Sequence, residues 1–223
     1  RRGAVPGGAG KLAGGGRVIA EPVLWALVGL ALGLVVVRRR SAGVAVLAAQ
    51  SLLLGVIAVD HAVTEHGSVP AAVAILVIRG VVLPLVLVQV IRLTREPRRV
   101  ASERSALLRF VLALAVALVA IGLAPPLGLH DEAAGDAALA LVVLGIAVAA
   151  LRRPVVFQAI GFLVAENGVL LAGLAVSGGL PAIVELGLLV DLVLAVGVAG
   201  AFGARIHERF GTSDTSVLRS LRD

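Results

Sequence analysis

RRPVVFQAIGFLVAENGVLLAGLAV (residues 152–176) opens on two arginines and a proline, then runs to Val176 with one ionisable side chain, Glu166. A helix needs about 20 predominantly apolar residues to cross the hydrocarbon core of a bilayer, and residues 154–176 supply that length. The rest of the chain agrees: 59% of its 223 residues are hydrophobic, 15% are charged, and mean hydropathy is +1.06. Soluble domains run nearer about 45–50% apolar and about 25% charged. So few polar residues cannot clothe a water-facing surface, so an all-α polytopic integral membrane protein is expected.

Outward from 154–176, apolar runs at 18–37, 42–59, 69–91, 106–124, 136–151 and 180–204 approach spanning length, which makes seven transmembrane helices. Six is the alternative, because the fifth run is short and its start is weakly marked. Residues 1–17 are Gly-rich and read as a flexible tail, followed by N-terminal helices over 18–149 and C-terminal helices with a cytoplasmic tail over 150–223. The absence of Met suggests a chain that begins after its initiator, and no small-residue cleavage pattern marks a signal peptide. Charges alternate between loops: Arg38–Arg40, then Asp60 and Glu65, then Arg92–Arg104, then Asp131, Glu132 and Asp136, then Arg152 and Arg153. The positive-inside rule places the arginine loops and the C-terminus in the cytoplasm. Arg1, Arg2, Lys11 and Arg17 oppose that assignment, and three internal arginine loops outvote them. The Gly29/Gly33 pair is a small-xxx-small pattern expected to pack inside the chain.

Within the spans, Arg79, Glu166, Glu185 and Asp191 are the informative charges. Such residues are costly in hydrocarbon and usually face protein or water for a purpose. Arg79 lies ten residues after Val69, Glu166 ten before Val176 and Asp191 ten after Pro181. At 1.5 Å per residue each is about 15 Å deep, near the midplane of a core about 30 Å thick. Glu185 lies only about 6 Å from the outer end of its helix, and about 120° around it from Asp191. Burial favours a neutral acid and a nearby cation favours the carboxylate, so a midplane acid beside Arg79 suits proton loading and release. The alternative is an ion pair that locks helices together. Gln158, Asn167 and Gln89 are candidates to hold water beside the carboxylates, and Pro84 should free backbone carbonyls one turn beyond Arg79.

Other chemistries are disfavoured. With no Cys, thiol nucleophiles and iron–sulfur ligation are absent. GGAGKL lacks the glycine and the Ser/Thr of a phosphate loop, with Val5 and Leu12 in their places. Asp60, His61, Glu65 and His66, like His130 beside Asp131 and Glu132, read as solvated loops rather than metal sites. No catalytic triad order or HExxH is present, and aromatics at 3% are too sparse for a nucleic-acid stacking surface. The expectation is therefore no catalytic residue, no metal, no cofactor and no nucleic-acid partner.

RRPVVFQAIGFLVAENGVLLAGLAV (152–176), PAIVELGLLVDLVLAVGVAGAFGARI (181–206) and DTSVLRSLRD (214–223) together resemble component E of hydrogenase-4. That family is related to the three-helix NuoK chain of respiratory complex I and to the MrpC chain of Mrp-type antiporters. The likeness is strong over 150–223 and architectural over 1–149. It implies a non-catalytic subunit of an energy-converting complex in a bacterial cytoplasmic membrane. Partners would be antiporter-like membrane subunits and a peripheral hydrogenase or redox module, besides the lipid bilayer. It also implies two relay acids on consecutive helices. The first aligns with Leu163, three residues before Glu166, and the second falls close to Asp191. Glu166, Asp191, Glu185 and Arg79 are thus the proton-relay candidates, and a structural adaptor of such a complex, or of an Mrp-type antiporter assembly, is the alternative.

Overall fold

The computed structural model of the chain describes residues 19–64, 67–93, 106–125, 131–176 and the helical Gly197. The tail expected over 1–17, all but Gly197 of the span expected over 180–204 and, with it, Glu185 and Asp191 lie outside the described residues, as do Glu65, His66 and His130. Among the described residues the elements are α1 (Glu21–Val36), α2 (Arg40–Thr64), α3 (Val69–Val77), a π-helical turn (Ile78–Val82), α4 (Leu83–Leu93), α5 (Ala106–Leu123), α6 (Glu132–Leu151) and α7 (Val155–Leu174). Five helices are long and apolar enough to cross a membrane, one of them the rod formed by α3, the π turn and the start of α4; α1 is a shorter apolar helix. Trp25, Leu85, Leu107, Leu118, Leu123 and Phe162 are each at least 60% exposed. A perimeter of that kind is suited to lipid, not water. The chain is a multi-pass membrane protein.

Local chemistry explains where the helices start and stop, including where they depart from the expected spans. The fifth run begins earlier than 136, because Asp131 caps α6 by accepting from the Ala134 N–H at 3.0 Å. Its other oxygen accepts from the Ile19 N–H at 3.0 Å, which ties the entry of α1 to the entry of α6. The second run extends beyond 59: α2 continues to Thr64, so Asp60 and His61 are helical rather than part of a loop. No Gly or Pro interrupts that segment, and the Thr64 hydroxyl donates to the Asp60 and His61 carbonyls. Pro22, Pro70 and Pro154 stand at or beside helix starts, where a missing N–H costs nothing.

Packing follows residue size. α6 and α7 meet along glycines: a Cβ on Gly161 would lie 2.5 Å from the Ala149 N and the Gly145 O, and one on Gly168 would lie 2.7 Å from the Ala138 O. These obstacles are backbone, so the two helices approach as closely as only glycine permits. α1 lies against α2, α5 and α6, and α2 bridges to α3, the π turn and α7. Leu27, Leu47, Leu54, Leu141, Leu144, Phe157 and Ile160 fill the interior, so one core runs across residue 150. Gly29 and Gly33 do not take part as expected: among the described residues, nothing lies within 4 Å of a Cβ built at either. The tight glycine seam forms instead where both partner helices carry glycine or alanine at facing positions.

At the corner between α6 and α7, Arg152 is buried and donates to the carbonyls of Val35, at 3.5 Å, and Val37. Its guanidinium also stacks 3.8 Å from the centre of the Phe157 ring. A cation there satisfies carbonyls at the C-terminus of α1 and complements its dipole. Burial, and secondarily the charge of Arg109, pushes Arg152 down to about 10, so it stays protonated at neutral pH.

Candidate functional site

The site is built from mid-helix positions. Arg79 occupies the π turn, where the Leu83 N–H reaches five residues back to the Ile78 carbonyl. Pro84 supplies no N–H to the Gly80 carbonyl, and the widened turn accommodates that loss. Gly80 faces α2 so closely that a Cβ would lie 2.5 Å from Leu52 Cδ2. The wide turn and the small residue together bring Arg79, only 4% exposed, between α2 and α7.

α7 answers with two adjacent polar side chains. Glu166 Oε1 lies 3.8 Å from Arg79 Nη2, and Asn167 Oδ1 accepts from Arg79 Nη1 at 3.2 Å. Asn167 Nδ2 donates to Ser51 Oγ at 3.1 Å and to Gln50 Oε1 at 3.3 Å. Gln50 Nε2 in turn donates to the Leu27 carbonyl at 3.0 Å. The chain of bonds has one sense. A carbonyl accepts only and a guanidinium donates only, so the Gln50 oxygen must face Asn167 and the Asn167 oxygen must face Arg79.

One buried network therefore links α1, α2, the π turn and α7 to a single cation partway along the apolar helices. Gln50, Arg79 and Asn167 are buried, and the Glu166 side chain is partly exposed at 20%. Because Asn167 holds Arg79 through a neutral amide, the guanidinium keeps a ligand whether Glu166 is charged or neutral. That separation lets the carboxyl change protonation without releasing the cation.

Of the four relay candidates, the structure brings Arg79 and Glu166 together, and Glu185 and Asp191 lie outside the described residues. Leu163 is core, 4% exposed. Gln158 is not beside the carboxyl as expected. It sits two turns toward the start of α7, where its amide reaches the Arg153 carbonyl at 3.5 Å. Gln50 and Ser51 join the site without having stood out in the sequence, although they form a polar pair in the middle of an apolar span. Among the described residues no group of three or more His, Asp or Glu could hold a metal.

No family model matches the chain, and no solved structure matches it. The chain is 33% identical over 187 residues to the uncharacterized protein Rv0085 of Mycobacterium tuberculosis, an alignment covering 80% of this chain and 81% of the relative. The chain belongs to the family of that mycobacterial protein.

Proposed function

We propose that this chain is a membrane subunit of an energy-converting, hydrogenase-4-like complex and helps move protons or other cations through buried carboxylates. The observation that carries the reading is Arg79 at mid-membrane, held by Asn167 while it faces Glu166 at 3.8 Å. Intramembrane charges of this kind are characteristic of ion pathways. Glu166 is the relay acid, Arg79 the charge that balances it, and Asp191 and Glu185 are further candidates from the resemblance of the C-terminal helices to component E. The chain supplies no reaction of its own. It works beside antiporter-like membrane subunits and a peripheral redox module, with its arginine-rich loops and C-terminus on the cytoplasmic side of a bacterial cytoplasmic membrane.

A second reading has its own support. The same bonds cross-link α1, α2, the π turn and α7, so the network suits an adaptor whose charges serve assembly. Proton translocation by vesicles carrying the whole complex separates the two. Glu166→Gln, compared with the parent at equal amounts of complex, is expected to abolish pumping while assembly and redox turnover persist. Intact pumping rejects the relay, and loss of the complex itself favours the adaptor.

A further inference from the structure

A cavity of about 340 Å³ opens between the first turn of α1 and the last three turns of α2. Ile19 and Val23 line one wall, Leu53, Ile57 and His61 the other, and Thr64 stands at the rim. His61 Nε2 is buried, and no hydrogen-bond partner for it is present among the described residues. Asp60 borders the same space. A volume of this size with polar groups at one end admits several water molecules.

The position of the cavity matters more than its size. On α2, Thr64, His61, Ile57, Leu53 and Gln50 recur every three or four residues and so share a stripe. Val23 and Leu27 do the same on α1, with Ile19 just before its start. The floor of the cavity, at Val23 and Leu53, is therefore one helical turn, about 5 Å, from the Gln50–Leu27 hydrogen bond that begins the buried network.

We propose that this cavity is an aqueous entry vestibule on the outer side, with His61 as the proton-transfer group at its mouth, and this rests on the relay reading above. The imidazole accepts a proton from bulk water and returns one to water inside the cavity, so its own charge is restored with each transfer. The cavity thereby brings water to within one helical turn of Gln50, the first residue of the buried network that leads to Arg79 and Glu166.

The chain contains no cysteine, which makes accessibility directly measurable. Leu53→Cys and Ile57→Cys are introduced singly into the whole complex in right-side-out vesicles. A membrane-impermeant thiosulfonate is added outside, and modification of this chain is read by mass. Val111→Cys, at a position 51% exposed on α5, is the lipid-facing control. Both cavity cysteines are expected to react at least about tenfold faster than the control, and His61→Ala to slow proton translocation about tenfold or more, with recovery on adding imidazole outside. Reaction only with a lipid-soluble maleimide makes the cavity a lipid groove and overturns the proposal. So does reaction only from the cytoplasmic side, normal translocation by His61→Ala, or a loss that imidazole does not restore. Labelling needs no pumping, so fast labelling alongside a Glu166→Gln complex that still pumps would remove the relay reading and leave the accessibility result standing.

Discussion

The two faces of α7 are built on opposite principles. Toward α6 it presents Gly161 and Gly168, and backbone lies directly on backbone with no polar side chain between. Toward α2 and the π turn it presents Glu166 and Asn167, and contact is made by side chains through directional bonds. The glycine face has one geometry, since any movement opens a gap or a clash. The polar face can change state, because a protonation event alters a bond without moving a helix. Under the proposed relay role, a rigid seam behind that pair would hold the distance from Glu166 to Arg79 while the acid changed charge.

The glycine face should be the less forgiving. Gly161→Val places branched carbon against the backbone of Ala149 and Gly145, which no rotamer relieves. The expected outcome is loss of the chain from membranes, checked by its abundance after mild detergent extraction. If Gly161→Val accumulates normally, the seam is not the rigid half of the comparison. Gly29→Val, by contrast, meets nothing among the described residues within 4 Å and should leave abundance unchanged.

On the polar face, Arg79→Leu leaves Glu166 and Asn167 without their shared cation. Breaking one partner of a buried pair costs about 3–5 kcal/mol, and a drop in thermal stability of the purified protein is the measure. The double substitution Arg79→Leu with Glu166→Leu should recover most of that loss, since a buried pair replaced by apolar groups is often neutral. Recovered stability without recovered proton movement would assign the pair to transport. Recovered movement would assign it to structure alone.

Asn167→Leu tests the link between the two faces. It removes a partner from the Gln50 oxygen, the Ser51 hydroxyl oxygen and one Arg79 nitrogen, at about 1–3 kcal/mol for each buried group left unsatisfied. Arg79 then has Glu166 as its remaining described partner on α7 and is drawn toward it. Proton movement should fall by more than the stability loss explains, and isotope-edited infrared spectroscopy should show the Glu166 carboxyl bands displaced from their positions in the parent. Unchanged bands would mean that Asn167 is packing rather than positioning.

Much of this arrangement is legible in the sequence alone. Apolar run length locates the described helices, with α3, the π turn and α4 read as one run, and counting residues from the run ends puts Arg79 and Glu166 at one depth, where they meet. Pro84 points to disturbed backbone near Arg79, and a π turn lies there. Three things are hidden for physical reasons. Gln50 and Ser51 are neutral, so they do not stand out as charges do, and only pairing with α7 gives them meaning. Glycines sit on one face of a helix at 29/33 and at 161/168 alike, but close approach needs a second helix with matching small residues, which one segment cannot report. Helix ends beyond the apolar run depend on caps such as Asp131, whose polar character reads as loop.

Arg152 offers the mildest test, because it lies outside the seam and outside the polar network. It joins the end of α1 to the start of α7 through the Val35 and Val37 carbonyls and the Phe157 ring. Arg152→Lys keeps the charge but loses the fork that reaches two carbonyls and stacks flat on an aromatic face. A loss of about 1 kcal/mol, one ordinary hydrogen bond, is expected in thermal stability, with proton movement unaffected. The pH dependence carries a definite sign. Burial lowers Arg152 to about 10, so the folded chain sheds this proton more readily than the unfolded one. Stability from this group therefore rises only as pH climbs from about 10 upward, and it is flat at neutral pH, where both states hold the proton. An Arg152→Lys chain whose proton movement fell with its stability would extend the functional half of α7 to its first turn, and one that lost stability alone would keep that half centred on Glu166 and Asn167.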